Sequence, residues 1–291
     1  MTLRVLVVTA VAAEAEAVAD GLTGRAAGSA RSLPSGHTVT SHLLTAAPAA
    51  GVPAPAAAAP ARAAGVPAAA APAAAGGGPA DRSVTYDGPA AAGPPAATVD
   101  VLAAGVGPAA AAVATATALA TAPYPYDLVV CAGIGGGFAP HAPLGALVVA
   151  DAVVAADLGA DTPDGYLPVE ELGFGRSVHV PPPALTARVA DALRAGGRPC
   201  LTAPVLTVST VTGTAARAAE LTARHPRAAA EAMEGFGVAE AAAAHGVPVV
   251  EVRAVSNTVG PRDRAAWRIG AALDALRGAA GSLSSTVFRE E

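Results

Sequence analysis

The sequence contains no lysine, and all 18 basic residues among its 291 are arginine. With the heavy use of Ala, Pro and Gly, this is a bias of composition rather than a functional signal. The net charge is −5 and no basic patch stands out, so nucleic acid is not an expected partner. Cysteine is scarce as well. Cys131 and Cys200 alone suggest neither a disulfide framework nor a cysteine zinc cluster. None of the six histidines falls in a His-x-x-x-His pattern, so no metal is expected. Hydrophobic residues make up 53% of the chain, but alanine supplies most of that share. The most apolar long stretch, 46–80, is alanine interrupted by proline and glycine, and a membrane span is rejected. Residues 1–10 lead straight into an acidic stretch with Glu14, Glu16 and Asp20, which reads as a strand and helix rather than a signal peptide. A cytoplasmic protein is the expectation.

What is present alternates between strand and helix. LRVLVVT (3–9) is a buried strand and 12–22 a helix. The segment from about 46 to 82 is a low-complexity insertion with little side-chain volume to pack, expected to lie outside the core of a single domain spanning 1–291. A strand in VDVLAAGVG (99–107) ends in a Gly-rich turn, and 108–121 is an Ala-rich helix. DLVVCAGIGGG (127–137) repeats the pattern, again with a glycine turn expected at 133–137. Helices near 183–195, 214–224 and 236–244 alternate with strands at 204–209, 228–233 and 247–255, and a last helix covers about 265–279. Such alternation predicts an α/β fold, whose ligands bind at the carboxyl ends of strands. The glycines do not complete a dinucleotide fingerprint, and Ser209 sits on no nucleophile elbow.

Four strand ends lead into small or polar residues: TAVAAEAE (9–16), CAGIGGG (131–137), AMEGFG (232–237) and VRAVSNTVG (252–260). Met233-Glu234 before a helix, followed by a strand ending in Arg253-Ala254-Val255-Ser256-Asn257, resembles the purine nucleoside phosphorylase and nucleosidase superfamily. Within it, VVAADLGADTPDGY, TVSTVTGTA, MEGFGVA and AVSNTVGPRDRAAW are similar to the futalosine hydrolase family. The resemblance implies a three-layer nucleoside phosphorylase-like fold with a mixed central sheet flanked by helices. It implies hydrolysis of the N-glycosidic bond of a 6-oxopurine nucleoside, futalosine, to hypoxanthine and dehypoxanthinyl futalosine in menaquinone biosynthesis. No cofactor is implied, and assembly as a homodimer or higher homo-oligomer is.

The resemblance also assigns roles. Glu14 would deprotonate the attacking water and stabilise the cationic sugar, with Glu16 as its register competitor. Glu234 would accept hydrogen bonds from the ribose hydroxyls, and Met233 would pack the ribose face. Asn257 would read the base: its amide donates to O6 and its carbonyl accepts a proton from N7, whereas adenine-cleaving relatives carry Asp. Ile134 and Gly135 stand where relatives have Ser-Ala, leaving backbone contact with the ribose. Ser209, Thr210 and Thr212 lie on the segment that stacks on the base in relatives, which here lacks the expected aromatic; Arg253 and Ser256 would orient Asn257 or structure the loop. Arg262, Asp263 and Arg264 are either a solvated loop or a contact to the futalosine carboxylate. The competing readings are a phosphorylase or a methylthioadenosine/adenosylhomocysteine nucleosidase of the same fold, and a non-catalytic nucleoside-binding protein. Phosphorolysis needs a dianion site, and GVGPAAAA after the 99–104 strand offers neither Arg nor Ser.

Overall fold

The computed structural model describes residues 2–26, 28–45 and 97–289, so the insertion expected at about 46–82 lies outside the described residues. In chain order the elements are β1 (Leu3–Thr9), α1 (Ala12–Gly21), β2 (Arg25–Ala26), β3 (Ala30–Ser32), β4 (Thr38–Leu44), β5 (Ala97–Ala103), α2 (Pro108–Ala120), β6 (Leu128–Gly137) and β7 (Leu147–Ala155). They continue with β8 (Gly159–Thr162), β9 (Gly165–Pro168), β10 (Val178–His179), α3 (Pro183–Ala195), β11 (Cys200–Thr207), α4 (Ala215–Arg224), β12 (Ala230–Ala232), α5 (Gly235–Ala244), β13 (Val249–Thr258) and α6 (Ile269–Ser285).

Strand β1 shows why the fold has three layers. It is apolar on both faces: Val5 and Val7 join a core with α1, α3 and α6, while Leu6 and Val8 join a second core with α2 and α5. The sheet is mixed. β1 runs parallel to β5 and β6, and β13 runs parallel to β6 but antiparallel to β7. The pairings β6–β13–β7–β11–β12–β6 close on themselves, with β12 antiparallel to β6. The carboxyl ends of β6 and β13 thereby meet β12 at one rim. The Ala-rich composition serves the second core. Ala111, Ala114 and Ala118 of α2 and Ala239 and Ala242 of α5 are buried, and a Cβ on Gly237 would strike the Pro108 carbonyl. Small side chains let the two helices approach closely.

Three sequence expectations need correction. Residues 133–137 are not a turn but the last half of β6, paired with β13 through Thr258. Strand β11 begins at Cys200 rather than 204; Pro204 interrupts it, since proline cannot donate to the ladder, and the register against β7 shifts between Ala203 and Val205. The short strands β2–β4 were not foreseen, and β13 reaches beyond 255 to include Asn257. Leu44 at the end of β4 pairs with Ala97 at the start of β5, so the described residues on either side of 46–96 lie next to each other. Among the described residues no helix is long and apolar enough to cross a membrane, and no group of three or more His, Cys, Asp or Glu could hold a metal ion.

Candidate active site

Helix α1 sets its two glutamates in different surroundings. Glu14 lies on the buried face with Ala17 and Val18 and is 3% exposed, whereas Glu16 faces solvent. Glu14 Oε2 accepts the amides of Ala10 (2.9 Å) and Val11 (3.2 Å), tying down the start of the helix. Its Oε1 accepts the Ile134 amide of β6 at 2.8 Å. A carboxylate offers about four lone-pair positions, so three backbone donors leave one for an outside partner such as water. Gly133 makes this approach possible. A Cβ there would lie 2.7 Å from both Glu14 Oε1 and Arg253 Nη1.

Glu234 follows β12 and occupies the position just before the first turn of α5, with its carboxylate turned away from the helix amides. It is 5% exposed, and its Oε1 accepts the Gly107 amide at 3.2 Å. Gly107 adopts φ 95°, a left-handed conformation open to glycine, and Pro108 starts α2 immediately after it. Glu234 Oε2 pairs with Arg253 Nη1 at 3.2 Å. Two lone-pair positions remain, matching two neighbouring hydroxyl donors. Thr207 at the end of β11 fixes the same turn, its hydroxyl oxygen accepting the Phe236 amide at 2.9 Å.

Arg253 on β13 links the carboxylates. It is 1% exposed, donates from Nε to Glu251 Oε1 at 2.8 Å and from Nη1 to the Ile134 carbonyl at 3.4 Å, and sets Nη2 3.2 Å from Cys131 Sγ. Burial opposes its charge, but Cys131, Glu251, Glu234 and Glu14 together hold its pKa above the ordinary arginine value. Burial pushes the Cys131 thiol up and Glu251 up, the latter against the pull of Arg253.

Ser256 and Asn257 complete the rim. Val255 pairs with Gly135 and Asn257 with Gly136, leaving Ser256 as the extra residue of a β-bulge. Bulges re-aim side chains next to sites, and this one sets Asn257 beside the glycines of β6. The Ser256 hydroxyl lies 2.8 Å from Asn257 Oδ1 and 3.1 Å from the Gly135 carbonyl, and Asn257 Nδ2 donates to the Thr258 carbonyl at 3.1 Å. One Nδ2 hydrogen and one Oδ1 lone pair are then left for a ligand.

The structure thus brings Glu14, Ile134, Gly135, Glu234, Arg253, Ser256 and Asn257 to the ends of β6, β12 and β13, with Met233 half-buried beside Glu234. The hydrogen bonds and ion pairs of Arg253 run to Glu251, Glu234, Cys131 and Ile134, and the Ser256 hydroxyl lies against Asn257. Ser209 is exposed and donates its amide to Asp157 Oδ2 at 2.7 Å, a turn contact rather than a link to these residues. Thr212 in the same segment is buried against Glu231, which accepts its amide at 2.8 Å and its hydroxyl at 2.5 Å. Arg262 and Arg264 are exposed, 5.4 and 5.5 Å from the centre of the Trp267 ring, while Asp263 caps a short turn through the Ala265 amide. Sequence reasoning missed Glu231 and Glu251. The available signal was a carboxylate set among apolar neighbours, Ala-Glu231-Ala and Val-Glu251-Val.

A glutamate caught at the start of α1, a second on the turn into α5 and a buried arginine between carboxylates define a nucleoside-cleaving class of α/β enzyme, and the Phosphorylase superfamily matches residues 95–289. The chain belongs to that superfamily and, within it, to the futalosine hydrolases. It is 69% identical over 188 residues to the futalosine hydrolase of Streptomyces coelicolor, covering 64% of this chain and 78% of that one. The solved futalosine hydrolase of Helicobacter pylori superposes with a TM-score of 0.68 at 15% identity, covering 99% of this chain and 98% of that one. The methylthioadenosine/adenosylhomocysteine nucleosidase of Colwellia psychrerythraea, solved with adenine, has a TM-score of 0.67 at 19% identity, covering 98% of each chain. At those identities the two structures establish the fold alone.

Proposed function

We propose that this enzyme hydrolyses the N-glycosidic bond of futalosine and releases hypoxanthine. The observation that carries this reading is the meeting of Glu14, Glu234 and Asn257 at one rim, each with hydrogen-bonding capacity left over. Glu234 would accept the 2′ and 3′ hydroxyls. As the bond from C1′ to the purine breaks, its electron pair leaves with the base and positive charge develops on the sugar. Glu14 would face that charge, and its free lone pair would take a proton from the water that bonds to C1′. The Asn257 amide would donate to O6 and its carbonyl would accept from N7 once solvent has protonated it.

Water rather than phosphate fits as nucleophile. The Gly107 amide, in the turn where a dianion would sit, is taken by Glu234, and Arg253 is buried and shared between carboxylates. Phosphate would meet carboxylates without a free cation. Assembly as a homo-oligomer, a cytoplasmic location, a single domain carrying the 46–82 insertion and a place in menaquinone biosynthesis belong to the same reading. The test is base release from futalosine, inosine and methylthioadenosine, with and without phosphate. Hypoxanthine release from futalosine without phosphate is expected. Strict phosphate dependence with a sugar phosphate product would overturn hydrolysis, and preference for methylthioadenosine would overturn the substrate.

A further inference from the structure

Glu251 lies in the middle of β13, is 0% exposed and takes no part in the chemistry above. Its Oε1 accepts from Arg253 Nε at 2.8 Å, while Oε2 has no hydrogen-bond partner. The same carboxyl group rests against the start of α5. A Cβ on Gly235 would overlap all three of its terminal atoms, so glycine directly after Glu234 is what gives it room. Glu251 therefore touches both supports of Glu234: the guanidinium that pairs with it and the first residue of the helix that follows it.

We propose that Glu251 is a positioning residue that fixes the Arg253 guanidinium plane and, through it, the Glu234 carboxylate that receives the ribose hydroxyls. The guanidinium is a rigid planar fork. Holding Nε fixes the direction of Nη1, which must reach both Glu234 and the Ile134 carbonyl. A bare, buried carboxylate oxygen is an unfavourable feature in a strand core, and here it accompanies an oxygen that holds the buried Arg253 Nε.

The inference rests on the reading of Glu234 as ribose acceptor, and the experiment separates the two. Hydrolysis of futalosine and of its 2′,3′-dideoxy analogue is measured for wild type, Glu234→Ala, Glu251→Gln and Glu251→Leu, with a thermal melt of each. Glu251→Gln keeps shape and an acceptor for Nε but gives up the charge. Its KM for futalosine should rise about tenfold, the difference between a charge-assisted and a neutral bond, with kcat changed far less and KM for the dideoxy analogue unmoved. Glu251→Leu should move the same ratio further. If Glu251→Leu does not fold, the ratio for Glu251→Gln decides alone. Equal shifts for both substrates, or none, in the face of a Glu234→Ala variant that has lost discrimination, would overturn the positioning role. Retained discrimination in Glu234→Ala would instead overturn the ribose reading, and this inference with it.

Discussion

Replacing Asn257 by Asp exchanges an amide NH2 for a carboxylate oxygen at a place where Nδ2 donates to the Thr258 carbonyl at 3.1 Å. The Ser256 hydroxyl can still serve Oδ1. The second oxygen then opposes the Thr258 carbonyl and, in the complex, O6 of the purine. Each such opposition leaves polar groups unpaired at about 1–3 kcal/mol. The one at O6 is felt in the reaction, which gives about a tenfold to hundredfold loss in kcat/KM on hypoxanthine nucleosides. Half burial and the facing carbonyl should raise the pKa of the introduced carboxyl. Its protonated form donates as the amide did, so activity should return as pH falls through that raised value. Stability carries the same sign: the native state then holds the proton more tightly than the unfolded chain, and stability declines as pH rises from the unfolded pKa through the folded one. Activity on adenine nucleosides, whose 6-amino group donates, should fall less or rise. The assay compares hypoxanthine and adenine release by both proteins from mildly acidic to neutral pH. A hypoxanthine-to-adenine ratio that is the same in both proteins at every pH would refute the base-reading role.

Glu14→Gln should lower kcat about a hundredfold to ten-thousandfold, the usual range for losing a general base, and a melt should show some destabilisation because its NH2 must face backbone amides. Gly133→Ala should lose activity together with about 1–3 kcal/mol of stability, since its methyl group intrudes on Glu14 and Arg253; an active, stable variant would show that the close approach is dispensable. Arg262→Ala and Arg264→Ala should raise KM for futalosine without raising it for inosine if the loop meets the futalosine carboxylate, and equal effects on both substrates would leave them a solvated loop. Excising 46–82 should leave kcat/KM unchanged and alter stability by about 1 kcal/mol or less, because Leu44 and Ala97, which bracket it with residues 83–96 still linking them, pair with each other.

The strands and helices that carry the two cores were legible because their periodicity is dictated by burial on one face or two. β1, α1, α2 and α5 all lie within a residue or two of where the pattern puts them. Family-level likeness in the segments around Glu234 and Asn257 pointed to the fold and activity. The glycines of 133–137 were misread because a turn and a crowded strand ask for the same residue: one for its free φ, the other for its missing Cβ. None of those glycines adopts positive φ, and Gly133 and Gly135 are hemmed in by Glu14, Arg253 and Glu231. Ser209 was expected near the base only because its segment resembles the one that stacks on the base in relatives. Its register was set instead by the side chains of Asp157 and Glu231, far from it in sequence. Glu251 went unnoticed because its partner Arg253 was itself given another task.

Glu14 grips the amide of Ile134, a residue in the middle of the paired length of β6. That amide can exchange with solvent only when the carboxylate lets go, and the strand on which it rides is locked between neighbours. Hydrogen exchange at Ile134 should therefore follow the slowest, most global opening of the molecule rather than local fraying. The reacting geometry is then as durable as the fold, and motion that admits substrate is expected of exposed residues such as 209–211 and 261–266 instead.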